Sequence, residues 1–309
     1  MRTVLITGAA GFIGGAAVRR FVAEGWRVVG CDLVRGEMDH ESLRWNVGPI
    51  ESVAFHAVVR EERPDLVVHC AGSASVPQSF IDVRGDFERN VGLTFHLLEA
   101  IREHAPSARF IFMSSAAVYG NPQSLPIGEE AAPRPISPYG FHKLMAEQCV
   151  REYASIHGIR AASLRVFSAY GPGLKRQVIW DICQKLSGAP LLRLQGTGDE
   201  SRDFVHVDDV ARAALVAGEA GELRGEVYNV AHGVERRIAD VASRLVDRVA
   251  PRTKIEFEGS LPAGTPLRWC ADVSRISAIG FHPTRDFDDG LAESADWAKA
   301  QLGILGTCG

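Results

Sequence analysis

No stretch of this chain approaches the roughly 20 consecutive apolar residues that a membrane-spanning helix needs, and Met1-Arg2 leads straight into a strand-like run instead of a leader peptide. The expected location is the cytoplasm, with no membrane partner. Lysine is scarce, with only five of the 34 basic residues, and Lys and Arg nowhere gather into the basic stripe that nucleic-acid binding relies on. With a formal net charge of -4, nucleic acid is not an expected partner. Cysteine pairs are missing as well. Cys31, Cys70, Cys149, Cys183, Cys270 and Cys308 are scattered, with no C-x-x-C spacing and no histidine at metal-ligand distance in sequence. Neither a zinc site nor a disulfide framework is suggested, which leaves reduced, mostly buried thiols; no metal is expected.

The chain does have 309 residues, 46% hydrophobic and 23% charged, which is enough to bury one large core or two lobes. Its first half repeats one rhythm of apolar run, Gly or polar turn, and helix-period segment. The runs are Thr3 to Thr7, Arg27 to Cys31, Asp65 to Cys70, Arg109 to Met113 and Ala161 to Val166; amphipathic stretches include Phe12 to Glu24, Asp86 to His104 and Pro138 to His157. Nearly continuous apolar strands alternating with helices predict an α/β, doubly wound parallel sheet of Rossmann type, covered on both faces. After about residue 170 the rhythm loosens around Gly171-Pro172-Gly173, Gly196-Thr197-Gly198 and Pro262-Ala263-Gly264. Residues 1–170 are therefore expected to form a dinucleotide-binding domain, with 205–235 rejoining its sheet. Residues 171–204 and 236–309 are expected to form a smaller C-terminal substrate-binding lobe.

Between the first strand and the first helix lies Gly8-Ala-Ala-Gly11-Phe12-Ile13-Gly14. Glycines at this spacing allow a tight turn, close approach of the backbone to a pyrophosphate, and close helix packing, while the helix N-terminus offers free N–H groups. The second strand ends in Asp32, whose carboxylate suits ribose hydroxyls and repels a 2′-phosphate, so NAD is expected over NADP even with Arg35 nearby.

Tyr139-Gly-Phe-His-Lys143 sets a phenol and an ammonium one helical turn apart, with Pro138 suited to the first turn and Ser137 to the cap. Upstream, a strand ends in Ser114-Ser115 at the carboxyl edge where ligands of such sheets bind. A hydroxyl there and a Tyr-Lys pair on the next helix can converge on one substrate oxygen.

Taken with His69-Cys70-Ala71-Gly72, Ser-Ser-Ala-Ala-Val-Tyr119-Gly120 and Arg202-Asp-Phe-Val-His-Val-Asp-Asp209, these motifs resemble the extended short-chain dehydrogenase/reductase family. The likeness is to its NAD-dependent epimerase/dehydratase group, nearest to the UDP-galactose 4-epimerases, and spans about residues 3–290. The resemblance implies Tyr139 as acid/base, Lys143 as partner of the nicotinamide ribose, and Ser115 as a hydrogen-bonding residue at the reacting oxygen. It also implies that NAD is held by Gly8, Gly11, Phe12, Ile13, Gly14, Asp32, Asn46, Val47, Cys70, Ala71, Gly72, Ser73, Asn90, Ser114 and Phe167, together with Tyr139 and Lys143. A nucleotide-sugar substrate, a UDP-sugar foremost, would meet Ser75, Ser115, Tyr139, Ser168, Lys175, Arg202, Arg268 and Trp269. A homodimer built on the helices around Asp86 to His104 and Pro138 to His157 is implied too.

The chain departs from the family pattern at several points. Ser168 stands where the family usually has Asn, as in the branch that handles glucuronate, and Lys175 is placed to meet a sugar carboxylate. Asn46 replaces the acid usual in the adenine pocket, and Pro262 replaces an Arg of the diphosphate clamp, leaving Arg202 with Arg268 to compensate. Ala116 and Ala117 occupy the positions where dehydratases carry their acids. Trp269 falls where a large ring would limit room beside the sugar's 2-substituent. The expected activity is a nucleotide-sugar 4-epimerase on a UDP-hexose or UDP-hexuronate, working through a transient 4-keto sugar. Alternatives are a keto-sugar reductase using NAD(P) and a non-catalytic NAD-binding regulator.

Overall fold

The computed structural model describes residues 1–186 and 190–303. Its main sheet takes the apolar runs in order: β1 (Thr3–Thr7), β2 (Arg27–Asp32), β3 (Leu43–Val47), β4 (Leu66–His69), β5 (Arg109–Ser115) and β6 (Arg160–Val166). Three short strands follow, β7 (Ser168–Tyr170), β8 (Leu191–Leu194) and β9 (Ser201–His206), and then β10 (Arg224–Val230), β11 (Glu235–Arg237) and β12 (Lys254–Phe257). Seven of them form one parallel sheet in the order β10-β6-β5-β4-β1-β2-β3. The chain runs outward from β1 through β2 to β3 and then returns to lay β4 on the other side of β1. That reversal opens a crevice at the carboxyl ends of β1 and β4, where Thr7 pairs with His69.

Both faces of the sheet are covered, which is why every residue of β1 and β4 is buried. One face packs Ala16, Ala17 and Phe21 of helix Phe12–Ala23 with Val210, Ala213 and Ala214 of helix Val207–Ala220. The other packs Phe55 and Val59, Leu97 and Ile101, and Ala146 and Val150 from helices Val53–Glu62, Leu93–His104 and Pro138–His157. Strand β3 and the helix that Ser52 caps at Val53 break the simple run-and-helix pattern, because β3 is half-exposed at the sheet edge and carries little apolar signal.

Beyond β6 the chain adds a three-stranded sheet, β11-β9-β7, and a two-stranded one, β12-β8. Helices Gln177–Lys185, Ile238–Val249 and Phe287–Leu302 pack on them through a core of their own. A fourth apolar cluster, including Tyr119, Tyr139, Phe167 and Trp269, lies between these elements and the end of β5. Of the cysteines, Cys31 and Cys183 are buried free thiols, while Cys70, Cys149 and Cys270 are half-buried; Cys308 lies outside the described residues. Among the described residues no helix is long and apolar enough to cross a membrane.

Candidate active site

The glycine turn after β1 leaves no room for a side chain. A Cβ on Gly14 would sit 1.9 Å from the Gly8 carbonyl oxygen, and one on Gly8, whose φ is +66°, would sit 2.6 Å from the Ala71 nitrogen. Gly11 occupies the N-cap of helix Phe12–Ala23 with no side chain to satisfy the first-turn N–H groups, which suits an anionic ligand. A cleft of about 430 Å³ opens there, bordered by Gly8, Gly11, Phe12, Ile13, Gly14, Asp32, Cys70, Ala71 and Gly72.

At the end of β2, the Asp32 carboxylate accepts from the N–H groups of Ala10 (2.9 Å) and Leu33 (2.7 Å), which fixes it at the rim. Arg35, the cation nearest to it in sequence, pairs with Asp39 at 3.2 Å instead. Asn46 is half-buried and Val47 exposed, and neither borders the cleft; Gly48, Ile50 and Glu51 do so instead. Ser73 is half-buried beside the lining residue Ala74, and Ser75 caps helix Val76–Ile81 by accepting from the Gln78 N–H at 3.3 Å. Asn90 lies under Gly72, its amide donating to the Asp86 carbonyl at 3.0 Å and its side-chain oxygen buried without a partner. It sits in a π turn, Glu88–Gly92, that interrupts an otherwise helical stretch from Val83 to His104. Turns of this kind gather at functional sites because they re-aim a side chain.

Strand β5 ends in the two serines. Ser115 accepts from the Ala117 N–H at 3.1 Å, starting a short 3-10 turn over Ala116–Val118. Helix Pro138–His157 begins at a Ser137 cap, which accepts from the Gly140 N–H at 3.1 Å, with Pro138 in its first turn. Tyr139 and Lys143 are both buried on it. The Lys143 ammonium donates to the Met113 carbonyl at 2.9 Å and lies 5.9 Å from the Tyr139 ring centroid. Burial pulls Lys143 down to about 8, and the nearby Cys70, Asp86 and Glu147 work against that fall. Burial raises the Tyr139 phenol, while the neighbouring Ser115 hydroxyl and the Arg176 guanidinium lower it and the Asp86 carboxylate raises it further. The Ser115 hydroxyl and the Arg176 charge thus both act on the Tyr139 phenol. Both Arg176 and its neighbour Lys175 are exposed, but only Arg176 borders the cleft. The loop Gly171–Arg176 carries two adjacent cations, and no periodicity in the sequence tells which one turns inward.

Ser114 points the other way, into a buried network. Its hydroxyl donates to Glu147 at 2.5 Å; Arg165 holds the same carboxylate at 2.7 Å and donates to the Tyr119 hydroxyl at 2.9 Å, which in turn donates to Asn229 at 2.7 Å. This chain ties helix Pro138–His157 to β5, β6 and β10, so it sets where Tyr139 and Lys143 stand.

On the opposite wall, Phe167 is buried against Tyr119 and Trp269, and Ser168 is half-buried at the start of β7. Trp269 donates from its indole N–H to the Gly120 carbonyl at 3.0 Å. The Arg202 guanidinium lies 5.5 Å from the Trp269 ring, burial lowers it to about 10, and among the described residues no carboxylate pairs with it. Arg268, by contrast, is held in a fork by Glu235 at 2.7 and 2.8 Å.

A family model described as the NAD dependent epimerase/dehydratase family matches residues 4–231. The chain belongs to this family. It is an NAD-dependent enzyme of the epimerase/dehydratase type. It is 31% identical to a UDP-glucose 4-epimerase of Azospirillum brasilense over 99% of this chain and 94% of that protein. It is 28% identical to a dTDP-glucose 4,6-dehydratase of Xanthomonas campestris pv. campestris, over 96% and 93%. Among solved structures, a UDP-glucuronic acid 4-epimerase from Bacillus cereus, in complex with UDP-glucuronic acid and NAD, superposes with a TM-score of 0.88 at 28% identity, covering 97% of this chain and 99% of that one. Relatives of both reaction types span this chain nearly end to end, so the choice between them rests on the residues beside Ser115.

Proposed function

We propose that this chain is a nucleotide-sugar 4-epimerase acting on a UDP-hexose or UDP-hexuronate. One observation carries the choice of epimerase: the residues that follow Ser115 are Ala116 and Ala117, both buried and without a carboxylate. A dehydratase needs an acid at that point to move the ring proton and the departing hydroxyl's proton. Ser115, Tyr139 and Lys143 suffice for proton transfer at a single sugar hydroxyl.

The fit to NAD rests on the glycine cradle that a Cβ would fill, the rim carboxylate of Asp32, and the unpartnered Asn90 oxygen beneath Gly72. NAD, when bound there, supplies the hydride acceptor and donor. Tyr139 takes the proton from the sugar's 4-hydroxyl and later returns it, while Ser115 holds that oxygen. Bringing a phenol from about 10 toward 7 takes roughly 4 kcal/mol, within reach of an adjacent ammonium together with the Arg176 charge. Arg202 suits the substrate diphosphate: it is half-buried, it donates to the Ser201 carbonyl at 2.7 Å, and among the described residues no carboxylate pairs with it. Arg268 is committed to Glu235, so the clamp has one arm rather than two. Arg176 near Tyr139 supports a substrate that carries a carboxylate.

We further propose a homodimer through the two long helices, whose outer faces expose Phe87, Phe95, Phe141, Met145 and Ile156. The activity is tested by offering purified protein a panel of UDP-sugars without added cofactor. Interconversion of a 4-epimer pair, lost in Tyr139→Phe, is expected. Turnover only with added NAD(P)H would indicate a reductase, and a 4-keto-6-deoxy product would overturn the reading.

A further inference from the structure

Between Tyr139 and Lys143 on the same helix stands His142, only 6% exposed, with its Nδ1 2.6 Å from a carboxylate oxygen of Asp86, itself 1% exposed. A carboxylate can only accept, so Nδ1 carries the hydrogen and the ring orientation is fixed. The second Asp86 oxygen is buried with no partner at all. Phe87 sets its ring edge-on against His142 at 5.6 Å. Helix Val83–Phe87, which carries Asp86, packs on helix Pro138–His157, and the Asp86 carbonyl accepts from the Asn90 amide in the π turn.

As a stabilising device this arrangement is poor. A buried carboxylate held by a single imidazole N–H gains little over an apolar pair of the same size, and its second oxygen left unpaired costs more still. A buried polar atom left unpaired in a native structure calls for an explanation, and a role for its charge at a neighbouring site is one. Two groups feel this one: Lys143 and Tyr139, one and three residues from His142 along the helix. Lys143 is otherwise faced by Cys70 and His69 from the end of β4, by Glu147 from its own helix and by the Tyr139 ring. Glu147 is already matched by the Arg165 fork, which leaves Asp86 as the carboxylate whose free oxygen has no cation of its own.

We propose that Asp86, held by His142, is a positioning residue that fixes a negative charge beside Lys143 and thereby keeps its ammonium protonated at working pH. This rests on the reading of Tyr139 and Lys143 as the reacting pair. The pair acts through Lys143 and touches neither substrate nor cofactor. A lysine pulled down to about 8 by burial is half-neutral in mildly alkaline solution, so a modest loss of opposing charge removes the ammonium from the site.

With only five lysines in the chain, side-chain ¹⁵N NMR of cofactor-free protein resolves Lys143 directly, assigned through Lys143→Met. Asp86→Asn is expected to lower the Lys143 titration midpoint by about 0.5–1 pH unit. His142→Phe should do the same, because without the Nδ1–H donor nothing holds the Asp86 carboxylate in place. His142→Gln, which restores an N–H donor, should keep the midpoint within about 0.2 pH unit of the parent. The alkaline limb of the pH–kcat profile should move in the same order. An unmoved Lys143 midpoint in folded Asp86→Asn or His142→Phe overturns the proposal, and either variant decides it if the other does not fold. Because the NMR titration needs no turnover, an inactive parent would sink the functional reading and leave this test standing.

Discussion

Lys143→Met should make the protein more stable while destroying its activity. The ammonium is 6% exposed and burial holds it at about 8 against an ordinary value of 10.5. Between those values the unfolded chain binds a proton that the folded chain does not. The penalty is therefore complete below about pH 8 and fades as the pH rises toward 10.5, and it amounts to about 3 kcal/mol. Against this, the Met113 carbonyl loses its 2.9 Å donor, which costs about 1–2 kcal/mol, and the cation 4.7 Å from the Phe112 ring is lost, another 0.5–1 kcal/mol or about that. Methionine fills a similar volume and makes its own contacts to aromatic rings. A net gain of about 1 kcal/mol at pH 7 follows, or roughly 2 °C in Tm for a chain of this size. The measurement is thermal unfolding of protein stripped of NAD, since bound cofactor stabilises the parent selectively. The gap between variant and parent should shrink as the buffer is raised from pH 7 to pH 10. A variant less stable than the parent at pH 7, or a gap independent of pH, would refute the reasoning.

Three further outcomes are expected. Asp32→Ala should narrow a preference for NADH over NADPH in fluorescence titrations; a 2′-phosphate about 5 Å from the carboxylate meets roughly 2 kcal/mol of repulsion at the rim, about 30-fold in affinity, and equal binding of both by the parent would contradict it. Phe141→Glu should give a monomer by light scattering at micromolar concentration, and a monomeric parent would remove the proposed dimer. Trp269→Ser should lose about 3–5 kcal/mol in chemical denaturation, because the ring is buried between Phe167 and Arg202 and its N–H is bonded to Gly120; it should also relax a preference of about tenfold for free 2-hydroxyl over N-acetylated sugars, and equal turnover of both by the parent would dismiss Trp269 as a gate.

What could be read from the sequence was whatever a local constraint forces onto residue type. The glycine turn is legible because the clash of a Cβ on Gly14 with the Gly8 carbonyl is a matter of backbone geometry alone. Asp32 is legible because it ends a strand whose neighbour carries that turn. Tyr139 and Lys143 share a helix face, and the Ser137-Pro138 start marks where that helix begins. The buried runs of β1, β4, β5 and β6 announce a doubly covered sheet, whereas the half-exposed edge strand β3 does not announce itself.

What stayed hidden depends on which side chain a distant segment meets. Lys175 and Arg176 are equivalent in sequence, and the turn into helix Gln177–Lys185 sends only the second toward the cleft. Arg268 occupies a suitable position for a diphosphate, but Glu235 on the neighbouring strand takes both of its donor arms, and no pattern in the Pro262 to Asp272 segment reveals that partner. His142 reads as filler between two conspicuous residues until Asp86, 56 positions earlier, is found against it. The same logic assigns Ser114 and Ser115, adjacent on one strand, to opposite tasks. Strand alternation turns them to opposite faces, one to Glu147 and the buried network, the other to Tyr139. Once the face of either is known, the role of the other follows, so the pair is the point at which a sequence motif becomes a site.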